Sequence, residues 1–600
     1  MAERCATYKS SIPVSAAAAL DWHRRDGAFE RLVPPWADVR VRSSRGSIDP
    51  GDGKEIAIKF GPLDTEWSIV HDALDGGTGF LDRQTSGPFS HWTHEHRFSE
   101  EANGYVALED RIRYQIPLGA LGDRSVGGRI QDELDRTFIY RHQITRHDLH
   151  THDRFDEQPG KRIAITGASG LVGSRLVPFL RAGGHPVHRL VRSDASAPDE
   201  IAWDPATGRI DADALEGFDA VIHLAGVSIS GSRWSSARKE AIRSSRVQGT
   251  TLLAQTLASL QQPPAAFVST SAVGIYGSRG DEELTESSPA GTGFLADVCQ
   301  EWESAADAAR TAGIRVVHPR FGVVIAGEGG MLKQLLLPFK LGVGGRIGKS
   351  KQYLSWIAID DLLSVLLEAV MNDSLVGPVN AVAPESVTNE EFTKALGVTL
   401  HRPTLLPLLE TAVKVAFGEM ADELLLTSQR TEPARLNDAG FRSVSPPSSV
   451  LWSTNSRPIR ALISKSRIAR LTDFQMKGSN MALNATYMTH ATTIATNEAS
   501  RLRRFNLVVG LIHTSLRPLR SWRASNDFTL PILATFVDGP PGRLRALRRS
   551  SGISRLDPRS RSSFVRRCRS SSDGRAADRA LVPGESARAD QSWAMDRVQH

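Results

Sequence analysis

The sequence predicts an α/β protein: a doubly wound parallel sheet, preceded by an α+β unit and followed by a tail without regular structure. Three observations carry that prediction. Between residues 161 and 193 an apolar run, a glycine-rich turn, a helical stretch and a second β-rich run follow one another. Apolar runs at 219–226, 265–271 and 314–324 alternate with helix-length stretches, the pattern of strands covered on both faces. From about residue 444 onward Arg and Ser accumulate with no durable hydrophobic period.

The 600 residues leave room for about two to four domains at roughly 150 residues each. A composition of 40% hydrophobic and 23% charged residues is that of a globular protein with a sizeable core. The net charge of +6 owes much to the last quarter, so it does not argue for nucleic-acid binding by the folded part. Cys5, Cys299 and Cys568 are far apart and odd in number. They form neither a disulfide framework nor a zinc pattern, which suits a reducing compartment. The start of the chain shows no charged-then-apolar signal pattern, and no apolar run reaches the ~18 residues of a membrane helix. A soluble, cytoplasmic protein is expected.

Residues 1–153 read as the first unit. A strand at 8–14, short helices at 16–25 and 28–33, and strands at 39–42, 55–60, 65–71, 79–81, 91–98 and 105–115 precede a helix at 126–147. That order is α+β logic. It resembles the helix-grip domains of the START/polyketide-cyclase-like superfamily, which implies a curved sheet around a long helix. The interior is then either a cavity for an apolar ligand or a filled core. His91, His94 and His96 share one strand, with His94 and His96 on the face of Trp92. His142, His147, His150 and His152 sit late in the closing helix, where its dipole favours them. No Asp, Glu or Cys set near them in sequence completes a metal site, and no metal is expected. The polar stretch 151–160, with Pro159, reads as a linker.

The turn Thr166-Gly167-Ala168-Ser169-Gly170-Leu171-Val172-Gly173 places glycines where a dinucleotide needs them. Gly167 permits the tight turn, Gly170 lets backbone approach a diphosphate, and Gly173 lets the helix pack closely. The diphosphate then meets free N–H groups at the positive end of the helix. About 20 residues on, where NAD-preferring folds carry Asp or Glu, the chain has Arg192 and Ser193. A guanidinium pairs with a 2′-phosphate, so NADP is expected, with NAD the alternative. Leu224-Ala225-Gly226 ends the 219–226 strand with small groups beside the cofactor. Ser269, Thr270, Ser271 and Tyr276 follow the 265–271 strand, at the carboxyl edge where ligands of open α/β sheets bind.

The motifs TGASGLVG (166–173), HLAG (223–226), STSAVGIYG (269–277) and PRFGVVIA (319–326) resemble the extended, epimerase-like branch of the short-chain dehydrogenase/reductase superfamily. FLADVCQEWE (294–303), GVGGRIGKSKQYLSWIAIDDL (342–362), GPVNAVAPESVTNEEFT (377–393), HRP (401–403), GEMADELLL (418–426) and ARLNDAGF (434–441) narrow the likeness. They point to an atypical epimerase-family group that ends in a small domain of unknown function and is sometimes fused to a START-like domain. The resemblance implies an NAD(P)-binding Rossmann domain at 161–395, a small helical domain at 396–443, and cofactor contacts from 166–173, Arg192, Ser193, Leu224, Ala225, Gly226 and Ser269. Reductases of the superfamily use Tyr-x-x-x-Lys plus a strand-end Ser. Here Phe294 and Val298 stand where the dyad belongs, as the group's members also lack it. Ser271 and Tyr276 are the catalytic candidates, with Asp297, Cys299 and Glu301 as further substitutes for the dyad. Ala358 replaces the branch's usual His before Asp360-Asp361, which reads as a helix cap. Residues 342–350 mimic a phosphate loop, but Val343 occupies the first glycine position and a helix, not a strand, precedes it.

The expected function is that of an NADP-binding, epimerase/dehydratase-like protein acting on an unknown small molecule. The alternative is a non-catalytic NADP sensor or apolar-ligand carrier, in line with the cell-division label some of the group carry. No membrane partner is expected. Nucleic acid enters only through the basic tail at 444–600, which reads either as a disordered binding segment or as sequence that never evolved to fold.

Overall fold

The computed structural model describes residues 3–443 apart from 61–62, 77, 103, 118 and 231–232; the tail from 444 lies outside the described residues. The N-terminal domain opens with β1 (Arg4–Ile12), α1 (Ala16–Arg24) and α2 (Ala28–Leu32). Strands β2 (Val39–Arg45), β3 (Gly53–Phe60), β4 (Leu63–Ala73), β5 (Thr78–Ser86), β6 (His91–Glu100) and β7 (Val106–Gln115) follow, then the long helix α3 (Gly119–Asp153). The strands form a seven-stranded antiparallel sheet in the order β1-β7-β6-β5-β4-β3-β2. Period-two alternation on β7 buries Val106, Leu108, Ile112 and Tyr114, the apolar set that one sheet face requires. Helix α3 packs on that face: Phe138 stacks on Tyr8 at 4.8 Å, and the Tyr8 hydroxyl donates to Asp135 at 2.7 Å. The helix runs through Asp153, beyond the expected end at 147 and into the expected linker. Tertiary bonds hold this last stretch, since the Thr151 hydroxyl lies 3.2 Å from that of Ser364 and the His152 ring meets the Phe179 carbonyl at 3.1 Å.

The second domain begins with β8 (Ile163–Thr166), α4 (Gly173–Ala182), β9 (Val187–Val191), β10 (Glu200–Asp204), β11 (Arg209–Ile210), β12 (Ala220–His223) and α5 (Ser236–Ser259). Then come β13 (Ala266–Ser269), β14 (Ser271–Ala272), β15 (Glu283–Leu284), α6 (Phe294–Ser304), α7 (Asp307–Thr311), β16 (Arg315–Phe321) and β17 (Val323–Ile325). The nine-stranded sheet runs β11-β10-β9-β8-β12-β13-β16-β14, with β20 (Gly377–Ala381) also on β16. Strands β8, β9, β10, β12, β13, β16 and β20 pair in parallel, and the strand order reverses between β8 and β12. Ile163, Ile165, Ile222, Val268 and Val317 bury one face against α4 and the helix at Ile359–Met371. Ala164, Val221, Phe267 and Val316 bury the other against α5. Coverage on both faces explains why these strands read as continuous apolar runs. Strands β10 and β11 were not expected from the sequence. The expected helix at 290–312 is interrupted between α6 and α7.

The remainder comprises α8 (Gly330–Lys340), β18 (Tyr353–Leu354), β19 (Trp356–Ala358), α9 (Ile359–Met371), β20, β21 (Val387–Thr388), α10 (Asn389–Leu400), α11 (Glu410–Phe417), β22 (Arg430–Thr431) and α12 (Ala434–Asp438). A reciprocal capping box of Thr388 and Glu391 starts α10, satisfying two orphan donors. Residues 343–346 carry no regular structure, Ile347 forms an isolated bridge with Leu408, and a strand rather than a helix follows at Tyr353–Leu354, so the phosphate-loop mimic lacks that loop's setting as well. The two domains meet where α2 lies on α4. Gly27 has φ +91°, and a Cβ there would fall 2.3 Å from the Pro178 carbonyl oxygen, so only glycine fits. Beside it Arg31 forks onto Asp148 at 2.8 and 2.7 Å and reaches Asp360 at 2.8 Å. Asp360 and Asp361 stand in the first turn of α9 without a side-chain cap bond. Asp360 therefore serves the domain boundary, and the expected capping role is corrected. Among the described residues no helix is long and apolar enough to cross a membrane.

Candidate functional site

In open α/β sheets ligands bind at the carboxyl ends of strands where the strand order reverses; here that place lies between β8 and β12, and the glycine turn follows β8 there. Thr166 ties the two strands together. Its Oγ1 accepts the Leu224 and Ala225 amides at 3.1 and 3.2 Å and lies 2.7 Å from His223 Nδ1. With two amide protons accepted, the hydroxyl proton is directed at His223 Nδ1. Burial, with Arg246 nearby, pushes His223 down to about 3, so it stays neutral and can accept.

The turn is geometrically exacting. Gly167 has φ +69°, and a Cβ there would sit 2.9 Å from the Ala225 nitrogen. At Gly173 a Cβ would lie 2.2 Å from the Gly167 carbonyl oxygen and 2.7 Å from Ala168 Cα, so this glycine seats α4 against the turn itself. Gly170 is open by contrast: its Cβ position meets only the Gly167 oxygen, at 3.2 Å, and Ser169 and Gly170 are exposed. Leu171 and Val172 complete the turn, half-buried, and Val172 is the N-cap of α4 with no side-chain cap bond. Backbone carbonyls satisfy part of this end: the Ser174 and Arg175 amides donate to the Gly170 and Val172 carbonyls at 2.9 and 3.1 Å, and the Gly170 amide to Gly167 at 2.9 Å. No side chain caps α4, so its positive end faces an open stretch of backbone at Ser169 and Gly170.

Arg192 and Ser193 follow β9 directly and are exposed; among the described residues Arg192 has no ion-pair partner. Leu224 and Ala225 are half-buried and Gly226 is exposed at the end of β12. Ser269 pairs in register with His223, and its buried Oγ has no hydrogen-bond partner among the described residues. Thr270 instead donates to the His223 carbonyl at 2.9 Å. The structure therefore gathers 166–173, 224–226 and 269 at one edge, with 192 and 193 at the end of the neighbouring strand.

The candidates for chemistry fare differently. Ser271 is buried on β14, beside Cys299 and Glu303. Tyr276 is fully buried. Its hydroxyl donates to Asn380 at 2.7 Å and accepts from Arg320 at 2.8 Å, while Arg320 forks onto Glu303 at 2.8 and 2.9 Å. Burial raises the phenol despite the arginine. The phenol expected to serve catalysis is thus enclosed, with protein partners for its hydroxyl on both sides. Cys299 is buried and pushed up to about 12 by that burial, the opposite of a nucleophile. Asp297 and Glu301 are on the exposed side of α6, Glu301 pairing with Arg243 at 3.1 Å. The start of α6, where the dyad would stand, is closed by the chain's later part: Glu423 accepts the Phe294 and Leu295 amides at 3.1 and 3.3 Å.

Arg246 was not singled out from the sequence. It donates to the Val227 and Ile242 carbonyls at 3.1 and 3.0 Å and lies over Trp302 at 5.0 Å. A Cβ on Gly226 would come 3.5 Å from its guanidinium carbon. Among the described residues no carboxylate pairs with it. Nothing in the periodicity of α5 marks it; only the fold brings it to the crevice.

A family model described as the NAD dependent epimerase/dehydratase family matches residues 163–379, and one described as a domain of unknown function (DUF1731) matches residues 410–442. Epimerase family protein Mb2239 of Mycobacterium bovis is 45% identical over 280 residues, covering 47% of this chain and 92% of the relative. The crystal structure of a nucleoside-diphosphate sugar epimerase from Corynebacterium glutamicum is 30% identical with a TM-score of 0.61, covering 83% of this chain and all (100%) of that one. That likeness extends beyond the part matched by the mycobacterial relative. The crystal structure of human epimerase family protein SDR39U1, described as with NADPH, is 32% identical with a TM-score of 0.45, covering 50% of this chain and 99% of the human one. The chain belongs to the NAD-dependent epimerase/dehydratase family, among the SDR39U1-like epimerase family proteins that carry a C-terminal DUF1731 domain.

Proposed function

We propose that this protein binds NADP at the β8–β12 crevice and acts on a small molecule in the manner of an epimerase or dehydratase. The observation that carries the reading is the solvent-open glycine turn at Ser169 and Gly170, at the end of a helix that no side chain caps, a setting that suits a diphosphate. Residues 166–173 would hold the diphosphate, Leu224, Ala225 and Gly226 would flank the adenosine half, and the buried Ser269 would stand behind them at the end of β13. Arg192, exposed and without an ion-pair partner among the described residues, fits a 2′-phosphate better than a ribose hydroxyl. The NADPH named for the human SDR39U1 structure is in keeping with that choice. When bound, the nicotinamide supplies hydride exchange. Titration of the full chain with NADPH and NADH tests the reading. Saturable binding with NADPH the tighter ligand is expected; binding of neither overturns it, and tighter NADH removes the role given to Arg192.

A second reading is favoured by one observation. The position of the Tyr-x-x-x-Lys dyad is taken by buried Phe294 and Val298, and Tyr276 is locked away. On that reading the chain binds NADP without turnover, as a sensor or carrier, and the N-terminal sheet with α3 is a START-like module for a second ligand. NADPH consumption with any compound of a carbonyl library decides between the two.

A further inference from the structure

Buried imidazoles and carboxylates gather far from the nucleotide crevice, on the face of the N-terminal sheet that α3 covers. The strand register sets them in two adjacent rows. His71, Asp82 and His94 are neighbours across β4, β5 and β6. His96 and Asp110 are neighbours across β6 and β7, two residues on and hence on the same face. The sequence hid this because Asp82 is near His94 only through strand pairing.

The contacts are ordered. Asp82 Oδ2 lies 3.2 Å from His96 Nε2 and 3.6 Å from His94 Nδ1. Each ring turns its other nitrogen toward Asp110: His94 Nε2 is 2.9 Å from Oδ1. His96 Nδ1 is 2.8 Å from the same oxygen, yet without the alignment of a hydrogen bond. Asp82 Oδ1 is held by His71 Nδ1 at 2.7 Å, and Asp110 Oδ2 by His142 Nε2 at 2.7 Å. One donor atom from each of Asp82, His94 and His96 lies within 4.8 Å of the others. The His94 and His96 side chains are 3% and 8% exposed, that of Asp82 16%.

Two donors about 2.0–2.1 Å from a tetrahedral zinc stand roughly 3.3–3.4 Å apart, and the 3.2 and 3.6 Å separations from Asp82 bracket that value. Ligand histidines whose far nitrogens face a carboxylate are the usual outer arrangement of such sites. Buried charges of this density are costly unless paired or metal-bound. We propose that Asp82, His94 and His96 bind a divalent transition metal, zinc by the nitrogen and oxygen donor set, with Asp110 and His71 orienting the ligands. Three protein donors leave a further position to water or a ligand, reached on the side of Asp82.

The test uses the full chain, stripped with a chelator and titrated with Zn²⁺ and Co²⁺. One equivalent binds with micromolar or tighter Kd. Zinc-edge X-ray absorption of the unmodified protein shows nitrogen and oxygen donors only, with imidazole scattering. Asp82→Asn and His96→Gln weaken binding at least 100-fold, and Asp110→Asn weakens it roughly 10–100-fold. Sub-stoichiometric binding, sulfur donors, absence of imidazole scattering, or tight binding that survives Asp82→Asn overturns the proposal. Should His96→Gln not fold, the absorption spectrum of the unmodified protein decides by itself.

Discussion

Arg31, in the N-terminal domain, donates to Asp360, at the head of α9 in the second domain, at 2.8 Å. The same guanidinium forks onto Asp148, and neither the Arg31 nor the Asp148 side chain is exposed at all (0%). Arg31→Met would leave two carboxylates without their cation, which for a buried pair costs about 3–5 kcal/mol. Urea unfolding should show that loss. Adding Asp148→Asn and Asp360→Asn should recover most of it, since the penalty lies in the uncompensated charge.

Acid should weaken the same joint. Burial pushes the Asp148 carboxyl up, but Arg31 and His147 outweigh it and hold it well below the usual range; Asp360 is lowered likewise, chiefly by Arg31 against its burial. A depressed carboxyl contributes stability above its unfolded pKa of about 3.9 and loses it as pH falls toward the folded value. This pair therefore adds no slope between pH 5 and 8 and a falling melting temperature below about pH 4. The slope should shrink in the Arg31→Met, Asp148→Asn, Asp360→Asn variant; an unchanged slope would assign the acid sensitivity elsewhere.

Tyr276→Phe removes the donor to Asn380 and an acceptor of Arg320. Leaving buried partners unsatisfied costs about 1–3 kcal/mol, readable by thermal unfolding. NADPH affinity should stay within about twofold. A large loss of affinity without loss of stability would return the phenol to the site.

Arg192→Glu places a carboxylate where the 2′-phosphate is proposed to lie. NADPH affinity should fall at least tenfold and NADH affinity hold or rise, measured by fluorescence titration. Equal losses for both cofactors would show that Arg192 does not distinguish them.

The glycine turn was legible because its requirements are local. Gly167 needs its positive φ and Gly173 its missing Cβ within one turn of chain, and β9 ends where the sequence places it, at Val191. The strand β10 was missed because its few residues alternate around Trp203 between polar loops, too short a run to show a period. Arg31 with Asp360, Tyr276 with Asn380, and Asp82 with His94 are joined only by tertiary pairing. No spacing rule reaches such partners. Burial of Tyr276 was hidden for the same reason: its position after a strand end suggested the crevice, whereas Arg320 and Asn380, on β16 and β20, draw its hydroxyl into the core.

The most direct measurement is a crystal structure of the full chain grown with saturating NADPH. The diphosphate oxygens should lie within about 3.2 Å of backbone N–H groups between Ala168 and Val172, with the 2′-phosphate at Arg192. A diphosphate bound elsewhere, or a turn left without ligand at saturation, would contradict the account.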